Sequence, residues 1–204
     1  MRGKHVPTVF VLIAVAISLV VLVLTASMRA ADVQWAYVHM AVAAATALFV
    51  AFVGIRQCRA LLDKGASASA VASSNAFYMG IVWAWGALAL VATYATGVLI
   101  WKEWWQFLIG FAAAALLSLY FSSALKRNAM AGREDETLLS RSRIVAKVQL
   151  VAMIITMLGL LIDGKMWRFL VVRYTDWAAN DVFFFGAMAI ALISGYALKA
   201  NKHP

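Results

Sequence analysis

Apolar residues in this chain do not alternate with polar ones at the two-residue period of a half-buried strand. They run on in blocks separated by short polar segments. Six blocks are long enough to cross a bilayer: 8–28, 35–55, 76–100, 105–125, 144–163 and 180–198. A hydrocarbon core about 30 Å thick takes roughly 20 helical residues. Each segment must satisfy its own backbone hydrogen bonds there, which leaves helix as the conformation. Ala, Leu, Val and Met dominate, without the ten-residue alternation of a membrane barrel. The predicted fold is therefore all-α, a polytopic membrane helix bundle with residues 1–204 as a single transmembrane domain. The third block exceeds the required length, so it tilts or protrudes. Met1 to His5 resembles the basic start of a leader peptide. The run from Val9 to Leu24 is longer than a leader's apolar core, however, and Thr25-Ala26-Ser27 is a weak cleavage site, so the first block reads as a retained helix.

Composition agrees with that pattern. Hydrophobic residues make up 65% of the chain and charged residues 13%, against about 25% charged in a typical soluble domain. The formal charge of +9 raises the possibility of nucleic acid as a partner. The basic residues flank apolar blocks and form no basic domain, which excludes nucleic acid and favours a bilayer with anionic headgroups. Cys58 is the only cysteine, so no intrachain disulfide supports the fold.

Lysine and arginine also set an orientation. Twelve fall on one side, in the N-terminal tail, around Arg56–Lys64, around Lys126–Arg143 and in the C-terminal tail; five fall on the other, at Arg29, Lys102, Lys165, Arg168 and Arg173. The richer side faces the cytoplasm. Both termini are then cytoplasmic, in a membrane of the bacterial cytoplasmic (inner) type. Trp35, Trp101, Trp104, Trp105, Trp167 and Trp177 collect at the opposite, outer interface. An indole ring suits the headgroup level there, half buried with its N–H within reach of a partner.

Three connections carry further information. Residues 56–74 begin RQCRALLDKG and continue as GASASAVASS, which reads as a helix running out into a flexible small-residue link. Residues 126–143 read as a mixed-charge cytoplasmic loop, solvated or in contact with a partner. Residues 165–177 place Met166, Trp167, Leu170, Val171, Tyr174 and Trp177 at helical spacing, which predicts a short amphipathic helix in the outer interface. Small residues recur at four-residue steps within the spans: Gly110, Ala114, Ser118 and Ser122 in the fourth, and Ala43, Ala47 and Ala51 in the second. Such stripes let helices approach closely.

Catalytic and cofactor signatures are missing from the sequence. It contains no HExxH, CxxC, GxSxG or Walker pattern, and no motif names a cofactor, whose identity stays unknown. His39 with Glu103 and Asp181 defines one polar site at the outer end, short of the ligands a metal wants; a hydrogen-bonded structural histidine is the simpler reading. The middle of every span is uncharged, which disfavours a proton relay or voltage sensor. Neutral polar residues remain in the cytoplasmic half: Asn75, Tyr78, Ser118, Tyr120, Ser122, Gln149, Ser194 and Tyr196. They form a polar vestibule if their faces converge and separate interhelical hydrogen bonds if they do not. Trp83 and Trp85 lie within the third span; either packs in the core or flanks an apolar ligand such as a lipid, quinone or pigment. Two residues apart, they point in different directions, so at most one faces a given pocket. Pairing the second span with the fifth aligns Ala36/Ala146, Val38/Val148, Thr46/Thr156, Leu48/Leu158 and Gly54/Gly164, which barely exceeds chance in so biased a composition.

Three function classes follow. The first is a non-catalytic subunit or assembly scaffold of a larger membrane complex, partnered by other membrane chains. The second is a channel or transporter for a small neutral or weakly polar solute, and the third an intramembrane enzyme.

Overall fold

The computed structural model describes residues 6–29, 33–95 and 104–162. The described residues form five α-helices: α1 (Val6–Arg29), α2 (Val33–Asp63), α3 (Ala68–Ala95), α4 (Trp104–Met130) and α5 (Glu136–Ile162). The chain is all-helical over these residues, and the described part of each of the first five apolar blocks falls on one helix. The sixth block, 180–198, and the segment 165–177 lie outside the described residues. Two stretches, Ala45–Asp63 in α2 and Leu108–Met130 in α4, are long and apolar enough to cross a membrane; Val9–Leu24 in α1 is apolar but shorter.

Two connections differ from expectation. The segment 56–74 is not a flexible link. Helix α2 continues to Asp63 and α3 begins at Ala68. A turn joins them, with Gly65 at φ +65°. The N–H of Gly65 donates to the carbonyl of Leu62 (2.9 Å), and that of Ala66 to Leu61 (3.0 Å). This pair of bonds satisfies carbonyls at the end of a helix that would otherwise lack partners, and the left-handed residue it needs has no Cβ penalty when it is glycine. Ser67 then starts α3, its Oγ accepting from the N–H of Ala70 (3.3 Å). Residues 126–143 are likewise mostly helical. Gly132 repeats the φ of +65°, and the N–H groups of Gly132 and Arg133 donate to Ala129 and Asn128. Asp135 caps α5 by accepting from the N–H of Leu138 (3.0 Å), with Glu136 favourably placed in the first turn. The charges of this segment therefore sit on helix ends and one tight turn.

These two turns lie side by side. The backbone N–H of Ala68, at the start of α3, donates to Oε1 of Glu134 (3.1 Å). The carboxylate thus satisfies a free N-terminal donor of one helical hairpin from the turn of the next.

Helix α3 is the axis of the bundle, packing against α1, α2, α4 and α5, and most closely against α4. Nearly every side chain from Ser69 to Ala89 is buried or half buried, which explains why α3 lacks a polar face: a helix surrounded by others has no side to give to water. The main core gathers Tyr78, Met79, Val82, Trp83 and Trp85 of α3 with Val11 and Leu22 of α1, Val50 of α2 and Phe111 of α4. Small residues set the spacing. A Cβ on Gly54 would lie 2.8 Å from Cβ of Tyr78, and one on Gly80 would lie 2.8 Å from Cδ2 of Leu119. On α4, Ser118 and Ser122 of the small-residue stripe are buried, whereas Gly110 is exposed with open space beside it. The stripe thus closes toward the C-terminal end of α4.

The outer surface is divided. Large apolar side chains point outward from every helix, among them Phe10, Ile17 and Val20 of α1, Phe52 of α2, Leu88 of α3, Leu116 of α4 and Val148 of α5. Among the described residues with placed side chains, the exposed charges gather at the end that carries the two turns: Arg56, Arg59, Asp63, Lys64, Lys126, Arg127, Arg133–Glu136, Arg141 and Lys147.

Candidate functional site

Polar groups inside the bundle fall into three interhelical clusters. The largest centres on Gln149 of α5, which is 7% exposed. Its Nε2 donates to the carbonyl of Ala114 (3.4 Å) and to Oγ of Ser118 (3.1 Å). Its Oε1 accepts from the indole Nε1 of Trp83 (3.3 Å) and the hydroxyl of Ser118 (3.4 Å). Both amide protons and both oxygen lone pairs are therefore engaged. One side chain ties α5 to α3 and α4, and Trp83 also packs its ring on Phe111 at 5.3 Å between centroids.

The second cluster is reciprocal. Ser73 Oγ donates to the carbonyl of Ser122 (2.8 Å) and Ser122 Oγ to the carbonyl of Ser73 (2.9 Å). Two backbones can exchange hydroxyl bonds this way only when no larger side chain separates them, which is why this crossing falls on serines. The third cluster joins α1 to α2. Thr46 Oγ1 lies 2.8 Å from the carbonyl of Val42 and 2.7 Å from Ser18 Oγ. With one proton on each hydroxyl, Thr46 donates to its own helix and accepts from Ser18.

Two cavities adjoin these clusters. The smaller, about 30 Å³, lies between α3, α4 and α5. Asn75, Ser118, Ser142, Arg143 and Gln149 supply its polar wall, and Met79 and Phe121 part of its apolar one. The larger, about 550 Å³, is a groove on the other side of α4. Helix α3 forms its floor through Ser73, Ser74, Phe77 and Tyr78, with Gln57 and Leu61 of α2 on one wall and Lys126 and Met130 of α4 on the other. It exists because α2 and α4 both pack on α3 but not on each other.

The residues expected to form a vestibule are thus distributed over distinct places. Asn75, Ser118 and Gln149 meet at the small cavity; Tyr78 and Ser122 line the groove; Tyr120 is 59% exposed on the outside of α4. Ser194 and Tyr196 lie outside the described residues, as do the side chain of His39, Glu103 and Asp181. Trp83 and Trp85 are both core residues, 5% and 1% exposed, and neither lines either cavity. Among the described residues, no three His, Cys, Asp or Glu side chains gather as a metal would require.

Sequence reasoning missed Ser18, Thr46 and Ser73 as members of these clusters and Ser142 and Arg143 as lining of the small cavity. Ser18 and Thr46 carried a signal, as isolated hydroxyls in otherwise apolar blocks. Arg143 carried none, because it reads as one more loop cation until α5 is known to begin at Glu136. Compared with known proteins, the chain matches no family model, no curated protein and no solved structure.

Proposed function

We propose that this chain is a six-span integral membrane protein, both termini cytoplasmic, that serves as a non-catalytic subunit or assembly scaffold of a larger membrane complex. One observation carries the reading. Buried polar side chains such as Ser73, Ser122 and Gln149 hydrogen-bond across helices to side chains and backbone carbonyls, while large apolar side chains face outward from all five helices. An aqueous monomer rarely exposes so continuous an apolar surface; lipid or a neighbouring membrane chain covers it without penalty. Neutral interhelical hydrogen bonds and close small-residue contacts are the means by which helices associate in lipid, where no hydrophobic force drives them together. The charged rim at the end with the two turns fits a cytoplasmic headgroup region. Helices α2 to α5, at 27 to 31 residues, are about 40–46 Å long at 1.5 Å per residue. That length crosses the core and carries the rim into the interface.

Purification of the tagged full chain in a mild detergent tests the subunit role. Retention of one or more membrane proteins at fixed stoichiometry is expected. A lone, monodisperse protein that moves a solute into liposomes overturns it. The second reading, a transporter for a small weakly polar solute, rests on the 550 Å³ groove and its mixed lining of Gln57, Ser73, Ser74 and Lys126.

A further inference from the structure

The groove between α2 and α4 is graded along its length. The reciprocal bonds of Ser73 and Ser122 place those residues at one depth. Gly80 against Leu119 and Trp83 against Phe111 show that α3 and α4 run antiparallel from there. Lys126 therefore lies about 6 Å nearer the end with the two turns, and Phe77 about 6 Å deeper, at 1.5 Å per residue. Gly54 packs on Tyr78, which sets Gln57 between those two levels. The lining thus passes from an ammonium near the rim, through an amide and hydroxyls, to an aromatic ring.

Two of these polar groups are uncommitted. Lys126 is exposed and Gln57 half buried, and neither side chain makes a hydrogen bond or ion pair among the described residues. Lys126 is the one charged residue among those that line the groove. It pairs with none of the carboxylates at its end, Asp63, Glu134, Asp135 and Glu136. Because α2 and α4 do not pack on each other, the groove opens sideways between them, onto the surface that lipid covers in the membrane reading.

We propose that the groove seats one anionic phospholipid, its phosphate at Lys126 and Gln57 and one acyl chain running inward over Phe77. The proposal rests on the membrane reading. The order of the lining is that of the lipid: charge at the headgroup level, neutral polar groups beside the glycerol esters, then hydrocarbon. The volume of about 550 Å³ falls within the roughly 300–1,000 Å³ of ligand clefts. A choline or ethanolamine headgroup would bring a second cation to Lys126, at an end where cations already outnumber carboxylates. Phosphatidylglycerol brings none, and the surface charge there favours it. The bound lipid bridges α2 and α4, which otherwise meet only through α3.

Thermal unfolding of the delipidated full chain in a neutral detergent, titrated with phosphatidylglycerol or phosphatidylcholine, tests the seat. A saturable rise in Tm is expected with phosphatidylglycerol and a weaker one with phosphatidylcholine, since a ligand of the folded state stabilises it by mass action. Lys126→Gln should weaken the phosphatidylglycerol response about fivefold, the scale of one lysine at an anionic headgroup. Lys147→Gln removes an exposed cation of the same end that does not line the groove, and should leave the response unchanged. Ala129→Phe fills the outer part of the groove and should reduce the response while the ligand-free protein unfolds at the parent's Tm. Equal responses to the two lipids, or a Lys126→Gln response no weaker than that of Lys147→Gln, overturn the site. Alkali extraction of membranes scores the membrane reading separately. A chain released by alkali loses that reading and the seat with it; one that resists alkali but shows no lipid response loses the seat alone.

Discussion

Replacing Gln149 by leucine probes whether hydrogen bonding holds α5 to the bundle. Leucine is close in volume, so the change removes polarity more than packing. It deletes the acceptor of the Trp83 indole N–H and the donors to Ser118 and Ala114. Interhelical hydrogen bonds in lipid average about 0.6 kcal/mol and reach about 1.7 kcal/mol. A buried N–H left without a partner costs about 1–3 kcal/mol. The Ser118 hydroxyl can turn to a carbonyl of its own helix, so the indole dominates, and Gln149→Leu is expected to cost about 1–3 kcal/mol. Trp83→Phe removes the N–H and keeps an aromatic ring against Phe111. Once the indole N–H is gone, Gln149→Leu no longer strands it. The double variant should therefore be less destabilised than the sum of the singles, by about 0.5–1.5 kcal/mol. Reversible unfolding in mixed micelles with rising SDS mole fraction measures all four proteins. Additivity within about 0.3 kcal/mol, or a Gln149→Leu protein as stable as its parent, refutes the reasoning.

Three other outcomes are expected. Leu116, 69% exposed on α4, faces lipid in the membrane reading, so Leu116→Lys should cost about 2.5–3.5 kcal/mol of insertion free energy and reduce the alkali-resistant membrane fraction; an unchanged fraction would contradict a lipid-facing position. Gly54→Ala should destabilise more than Gly80→Ala. The new methyl meets Cβ and Cγ of Tyr78 in the first case, where Cβ is fixed to the backbone. In the second it meets Cγ and Cδ2 of Leu119, which can move by rotation about the Leu119 Cα–Cβ bond. The helix-propensity gain of up to about 1 kcal/mol is common to both, so a reversed order in the same unfolding assay would count against the close α2–α3 approach. Asp135→Ala removes the cap on α5 and should lower stability by about 1 kcal/mol, with Asp135→Asn restoring most of it; equal losses in both would point away from capping.

How much was legible beforehand depends on the kind of interaction. Helix was readable because continuous apolar blocks with no two-residue alternation leave a chain no other way to satisfy its backbone. The ends of the helices were misread at one place in particular. GASASAVASS has the composition of a flexible link, yet its alanines and serines from Ala68 onward form the first turns of α3. Small side chains there serve the α3–α4 crossing, where Ser73 and Ser122 exchange hydrogen bonds through their backbones. Composition alone does not separate a residue that is small for flexibility from one that is small for contact.

The sequence by itself determined the helical fold, the positions of five helices to within a few turns, and the sorting of charge to the helix ends. These depend on local properties, hydropathy over 20 residues and backbone hydrogen bonding within one segment. Tertiary structure alone decided which polar residues meet. It brought Gln149 to Trp83 across 66 residues of chain and divided the expected vestibule between a small cavity and a groove. Such pairings depend on the rotation of each helix about its axis and on which helices become neighbours. Those choices follow from the packing of all the helices together, through contacts such as Gly54 on Tyr78, and no single segment encodes them.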